Sequence, residues 1–146
     1  MPRKIAILYA TVSGNAETLA RLAGEHLQAT SRAFEVHNVA DFPAGRLREM
    51  DTALIIASTW GEGAPPPDAV EFCASLEHPG TLRLPHLRFA VFALGSSNYK
   101  DFCGCGRRID ESLAHCGAER LLPCAVSDTK FKAGFEDWWG RVEARL

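Results

Sequence analysis

The sequence predicts an α/β fold, a parallel, doubly wound sheet of five strands with helices on both faces. Three observations predict it. Five short apolar runs recur along the 146 residues, and segments with apolar residues at helical spacing separate them. The first, third and fourth runs are almost continuously apolar, as strands covered on both faces must be. Strands that alternate with helices lie parallel and are joined by right-handed crossovers.

In chain order, "KIAILY" (4 to 9) reads as the first strand. Ala16, Leu19, Ala20, Ala23 and Leu27 then recur on one face of a helix. The second and third strands are "AFEVHNV" (33 to 39) and "TALIIAS" (52 to 58). Pro65 to Pro67 and Asp68 start a helix that carries Val70, Cys73 and Leu76. "RFAVFAL" (88 to 94) is the fourth strand, and Ile109, Leu113 and Cys116 mark a helix that Gly117 stops. A weaker strand, "RLLPCAV" (120 to 126), precedes a closing helix with Phe135, Trp138, Val142 and Leu146 on one face and Trp139 beside them.

The length fits a single domain over residues 1–146, and the 47% apolar and 23% charged fractions are those of a soluble globular protein. Sixteen basic and 18 acidic residues give a formal charge of −2, which argues against a nucleic-acid binder. No run approaches the roughly 18 apolar residues of a membrane span, and Met1 leads into "PRK" and a strand instead of a signal-peptide core. A cytoplasmic monomer away from the membrane is the expectation. The five cysteines, Cys73, Cys103, Cys105, Cys116 and Cys124, are odd in number and scattered, unlike a disulfide framework. Cys103-Gly104-Cys105 lacks the CxxC spacing, so the cysteines read as small buried side chains and no metal site is expected.

Ligands of such sheets bind beyond the carboxyl ends of the strands, where strand order reverses. Three segments fall at such strand ends, "TVSGNAET", "STWGEGAPPPD" and "GSSNYKDFC", and with a strand order of 2-1-3-4-5 all three converge on one crevice. The first is neither a Walker A sequence nor GxGxxG, yet it opens a helix, whose free N–H groups and partial positive charge suit a phosphate. Hydroxyls of Thr11, Ser13 and Thr18, the Asn15 amide and the freedom of Gly14 add donors; a polar turn with an N-cap is the plainer alternative. Trp60 and Tyr99 occupy matching places after the third and fourth strands, where two rings can sandwich a planar heterocycle. As alternatives, Trp60 is a packing anchor and Tyr99 a surface residue.

Together with "GAERLLP" and "SDTKFKAGFEDWW", these motifs resemble the flavodoxins, above all the FMN domains of diflavin reductases such as the sulfite reductase flavoprotein. The resemblance runs over essentially the whole chain and implies a short-chain flavodoxin fold, a three-layer α/β sandwich with a five-stranded parallel sheet of order 2-1-3-4-5 and helices on both faces, with FMN as cofactor. It implies that Thr11, Val12, Ser13, Gly14, Asn15 and Ala16 hold the FMN phosphate. Ser58, Thr59, Trp60, Gly61 and Glu62 correspond to the loop on one side of the isoalloxazine, with Trp60 on its inner face. Leu94, Gly95, Asn98, Tyr99, Phe102 and Cys103 correspond to the loop on the other side, with Tyr99 on the outer face, and Asp128 to an acidic residue near the flavin edge. The chain departs from the family at Ser96, where many flavodoxins carry Asp, and in the triple proline at 65 to 67.

Electron-rich rings, together with acids such as Glu62, Asp68, Asp101 and Asp128, oppose the negative charge of fully reduced flavin. They therefore make the second electron easier to give away. Gly61 is suited to a peptide flip toward flavin N(5), since glycine adopts either backbone conformation. The resemblance thus implies a one-electron carrier and not a stand-alone enzyme. Its expected donor is a separate NAD(P)H-dependent flavodoxin reductase, because the chain holds no reductase domain, and its acceptor is a redox enzyme that the sequence does not choose. An acidic partner rim of Glu62, Asp68, Glu71 and Asp101 is interrupted by Lys100, Arg107 and Arg108. Two alternatives stand beside this reading: an NAD(P)H-dependent FMN or quinone reductase, which needs an open flavin face, and a flavodoxin-like module without redox activity.

Overall fold

A computed structural model describes residues 4–11, 14–30, 32–58, 69–77, 82–95, 104–127 and 131–146. Its strands are β1 (Ile5–Ala10), β2 (Phe34–Asn38), β3 (Thr52–Ser58), β4 (Arg88–Leu94), β5 (Glu119–Arg120) and β6 (Ala125–Ser127). Its helices are α1 (Asn15–Ala29), α2 (Val70–Glu77), α3 (Gly104–His115) and α4 (Phe131–Arg145). All strand pairs are parallel, in the order β2-β1-β3-β4-β5, and β6 also pairs with β4. The predicted class and strand order are those observed.

The fifth position of the sheet differs from its prediction, because two short strands occupy it in succession. The Leu121 N–H donates to Phe89 O at 2.7 Å, and the chain then leaves the ladder until Ala125 faces Phe92. Pro123 lies in the gap, and a proline has no N–H to give to a ladder.

Alternation along the central strands divides the core between the two faces of the sheet. Ile5, Ile7 and Tyr9 of β1 join Leu54, Ile56, Ala90 and Phe92 under α1 and α4, with Leu19, Leu27, Phe135, Trp138 and Trp139. Ala6, Leu8 and Ala10 join Ala53, Ile55, Phe89 and Val91 under α2 and α3, with Phe72, Leu76, Ile109 and Leu113. These strands are buried on both sides, as their continuous apolarity requires. Gly106 lets α3 approach β4 closely, since a Cβ there would collide with the Ala93 side chain and stand 3.0 Å from its Cα.

Two 3-10 segments between β2 and β3, Val39–Asp41 and Ala44–Glu49, were not expected from periodicity. Asn38 caps the first by accepting the Ala40 N–H at 2.9 Å. The two segments seat Val39, Phe42, Leu47 and Met50 in the core beside α2. One helical face also needs correction. Val70 is 55% exposed, and the buried stripe of this region is Ala69, Phe72, Cys73 and Leu76. At 3.6 residues per turn Val70 stands about a hundred degrees from Ala69, which carries it off that stripe. The prolines expected to start this helix lie outside the described residues.

Candidate functional site

Parallel register brings the carboxyl ends of four strands to one edge. Ala10 faces Ala57, Ser58 faces Leu94, and Leu94 in turn faces Ser127. The Gly95 N–H donates to Ser127 O at 3.1 Å, which prolongs the β4–β6 pairing one residue past β4. Thr11, Ser58 and Gly95 therefore leave the sheet side by side. This is the edge where the sequence places its ligand loops, and β1 and β3, the strands on either side of the order reversal, are adjacent there.

The turn from β1 into α1 is built for an anion. Gly14 sits at the helix N-cap with φ 90°, a left-handed conformation that costs glycine little. Its N–H donates to Thr11 Oγ1 at 2.8 Å, so the Thr11 oxygen serves as an acceptor inside the loop. The first intrahelical bond is Thr18 N–H to Gly14 O, at 3.0 Å. The N–H groups of Asn15, Ala16 and Glu17 have no intrahelical acceptor, and Gly14 at the N-cap has no side chain to cap them. Amide donors and a hydroxyl at a helix amino terminus suit the acceptor oxygens of a phosphate monoester.

Two details of this turn differ from the sequence reading. The Thr18 hydroxyl, expected to face the anion, donates to Gly14 O at 3.0 Å, so its proton is used within the helix. Glu17 brings a negative charge into the first turn, and Arg21 one turn later meets it with Nη2 at 2.8 Å and Nε at 3.1 Å. That carboxylate holds the Arg21 guanidinium above its ordinary pKa. The pairing offsets a charge that would otherwise repel an incoming phosphate. The loop itself contains no cation, and nothing in its pattern pointed to Arg21.

Of the other described residues expected at the site, Asn15 is exposed and three are buried. Ala16 and Leu94 are buried in the α1–α4 core, so their side chains face inward. Ser58 is also buried, at the last position of β3. Val12, Ser13, Thr59, Trp60, Gly61, Glu62, Asn98, Tyr99, Phe102, Cys103 and Asp128 lie outside the described residues. Arg108, expected to interrupt an acidic rim, is paired with Glu77 of α2 at 2.8 and 3.0 Å. Among the described residues no group of three or more His, Cys, Asp or Glu could hold a metal, and no helix is long and apolar enough to cross a membrane.

Comparison with known proteins agrees with this geometry. The family model described as Flavodoxin matches residues 7–138. The chain is 34% identical over 136 residues to the sulfite reductase [NADPH] flavoprotein alpha-component of Bacillus subtilis, covering 93% of this chain and 22% of that protein. It is 34% identical over 145 residues to the same component from Neisseria meningitidis serogroup C, covering 99% of this chain and 24% of that protein. The chain thus spans less than a quarter of the length of these curated relatives. Oxidised Flavodoxin 2 from Bacillus cereus superposes with a TM-score of 0.87 at 26% identity, over 98% of this chain and 99% of that one.

Proposed function

Because this chain belongs to the flavodoxin family, we propose that it is an electron carrier that holds FMN where β1, β3 and β4 end and passes electrons singly between two protein partners. FMN is the cofactor of this family, and when bound it supplies a ring that takes up and releases electrons one at a time. The observation that carries the proposal is the amino terminus of α1, with first-turn N–H groups that have no intrahelical acceptor and the Thr11 hydroxyl beside Gly14.

In this reading Thr11, Gly14, Asn15 and Ala16, with Val12 and Ser13 of the same loop, hold the phosphate. Ser58, Thr59, Trp60, Gly61 and Glu62 flank one side of the ring system. Leu94, Gly95, Asn98, Tyr99, Phe102 and Cys103 flank the other, and Asp128 lies toward its edge. Trp60 and Tyr99 stack on the ring faces, each stack contributing about 0.5–1.5 kcal/mol beyond area burial. Rings stacked in this way would exclude water from the flavin, and acidic residues of the same loops would raise the cost of added negative charge. The donor is a separate NAD(P)H-dependent reductase. Likeness to part of the sulfite reductase [NADPH] flavoprotein supports NADPH as the source of electrons and a reductive enzyme of that kind as acceptor.

An absorption spectrum of the purified protein followed by stepwise anaerobic reduction tests the proposal. Bound flavin and two resolved one-electron steps are expected, and Trp60→Ala weakens FMN binding and eases the second step. Protein that stays colourless and takes up no FMN would exclude the carrier. Rapid reduction by NADPH alone would replace it with a directly NAD(P)H-dependent reductase.

A further inference from the structure

We infer that Cys73 and Cys105 form a paired dithiol that a peroxide closes into a disulfide, joining α2 to α3. Cys73 lies on α2 and Cys105 on α3, two helices packed side by side on one face of the sheet. Both belong to the same buried cluster, 4% and 0% exposed. Their thiols hydrogen-bond to each other. The Arg108–Glu77 ion pair spans the same two helices with half-exposed side chains, so the helices are already held together where the thiols meet. A disulfide needs two Cβ atoms about 3.5–4.5 Å apart with no backbone displacement, which thiols already in hydrogen-bond contact approach.

The two sulfurs are not equivalent. The hydrogen bond from Cys105, helped by the Arg108 charge and opposed by burial, holds the Cys73 thiol below its ordinary pKa. The same bond and burial push the Cys105 thiol up. Cys73, the less deeply buried of the two, is therefore the attacking thiolate and Cys105 the resolving thiol. The Cys73 thiolate displaces hydroxide from hydrogen peroxide and becomes a sulfenic acid. The Cys105 sulfur then attacks the Cys73 sulfur and expels water, its own proton leaving with the departing oxygen. In balance, two thiols and one peroxide give one disulfide and two waters, with both sulfurs oxidised and the peroxide oxygens reduced.

Cys116 serves as an internal contrast. It too is buried, but its Sγ lies 3.9 Å from Leu76 O, and burial raises its pKa. It has neither a thiol partner in that contact nor a lowered pKa, so it stays reduced under the same exposure. The crosslink does not depend on FMN, although it ties together the helices that follow residues 59–68 and 96–103 in the chain.

The test treats the full chain with stoichiometric hydrogen peroxide, unfolds it, alkylates the remaining thiols and maps the peptides. The expected result is a Cys73–Cys105 cross-linked peptide, lighter by two hydrogens and restored by dithiothreitol, with Cys116 fully alkylated. In Cys105→Ala the crosslink disappears and Cys73 becomes reactive toward dimedone, a sulfenic-acid probe. If that variant does not fold, Cys73→Ala must likewise abolish the crosslink and leave Cys105 alkylatable. Both thiols remaining alkylatable in the treated wild-type chain, or Cys105 pairing with Cys103, would overturn the inference.

Discussion

The two faces of the sheet are closed by different physics. Under α1 and α4 the core is rings and small aliphatic side chains: Phe135 stands edge-on to Phe92 at 5.8 Å, lies 5.9 Å from Trp138, and stacks on Trp139 at 6.5 Å. Under α2, α3 and the 3-10 segments, apolar packing is supplemented by polar pairs that cross between elements. Arg120 of β5 clasps Asp110 of α3 at 2.7 and 3.2 Å, Arg108 clasps Glu77, and Cys73 meets Cys105. The first face is held by volume, which responds weakly to salt, pH or oxidant. The second is held partly by charge and thiol chemistry, which respond to all three.

The sharpest way to break this contrast is to empty the ring face. Phe135→Ala removes a fully buried ring among three aromatic neighbours and should cost about 3–5 kcal/mol in urea unfolding. A smaller loss than that from any polar pair would reverse the comparison. Next is Arg120→Ala, which leaves the Asp110 carboxylate, 5% exposed, without its partner. Breaking a fully buried pair costs about 3–5 kcal/mol. Arg120 is itself partly exposed, so water replaces some of the contact and about 2 kcal/mol is expected by the same unfolding measurement.

Gly106→Ala sharpens the account of how α3 seats on β4. Overpacking costs about 1–3 kcal/mol, while alanine regains about 1 kcal/mol of helix propensity, so a net loss of about 1 kcal/mol is expected. A gain in melting temperature would show that α3 has room to move away from Ala93. The smallest effect belongs to Glu35, which accepts from His37 Nε2 at 2.7 Å and Arg46 Nη2 at 3.2 Å. The His37 bond, with help from Arg46, lowers its pKa below the ordinary glutamate value. A carboxylate with a lowered folded-state pKa stabilises the fold above its unfolded pKa, and that contribution is lost as pH falls through the folded value. Glu35→Gln should cost a few tenths of a kcal/mol at neutral pH, as exposed pairs do, and nothing once both forms are uncharged. An unchanged difference between wild type and variant across an acid titration of stability would remove this pair from the account.

Much of this was legible from residue order alone because the central strands are buried on both faces. The runs 52 to 58 and 88 to 94 coincide with β3 and β4, and the α1 stripe of Ala16, Leu19, Ala20, Ala23 and Leu27 is buried throughout. Failures came where a local rule competed with tertiary contact. Pro123 divided a strand that its apolar neighbours suggested was whole, and the 3-10 segments have no period long enough to read. Chain order placed the predicted loops at one edge of the sheet, whereas the Thr18 bond to Gly14 and the pairing of Arg21 with Glu17 depend on rotamers that no spacing specifies.

The sequence by itself determined the layer architecture, because burial pattern and crossover handedness leave few alternatives for alternating strands and helices, and its motifs, through their likeness to the flavodoxins, supplied the strand order. Only the tertiary structure decided which side chains meet across elements. Arg120 and Asp110 are ten residues apart, Arg108 and Glu77 thirty-one, and Cys73 meets Cys105 from the neighbouring helix. Their contact follows from how two helices settle on one sheet face, a packing equilibrium over many residues that no local pattern encodes.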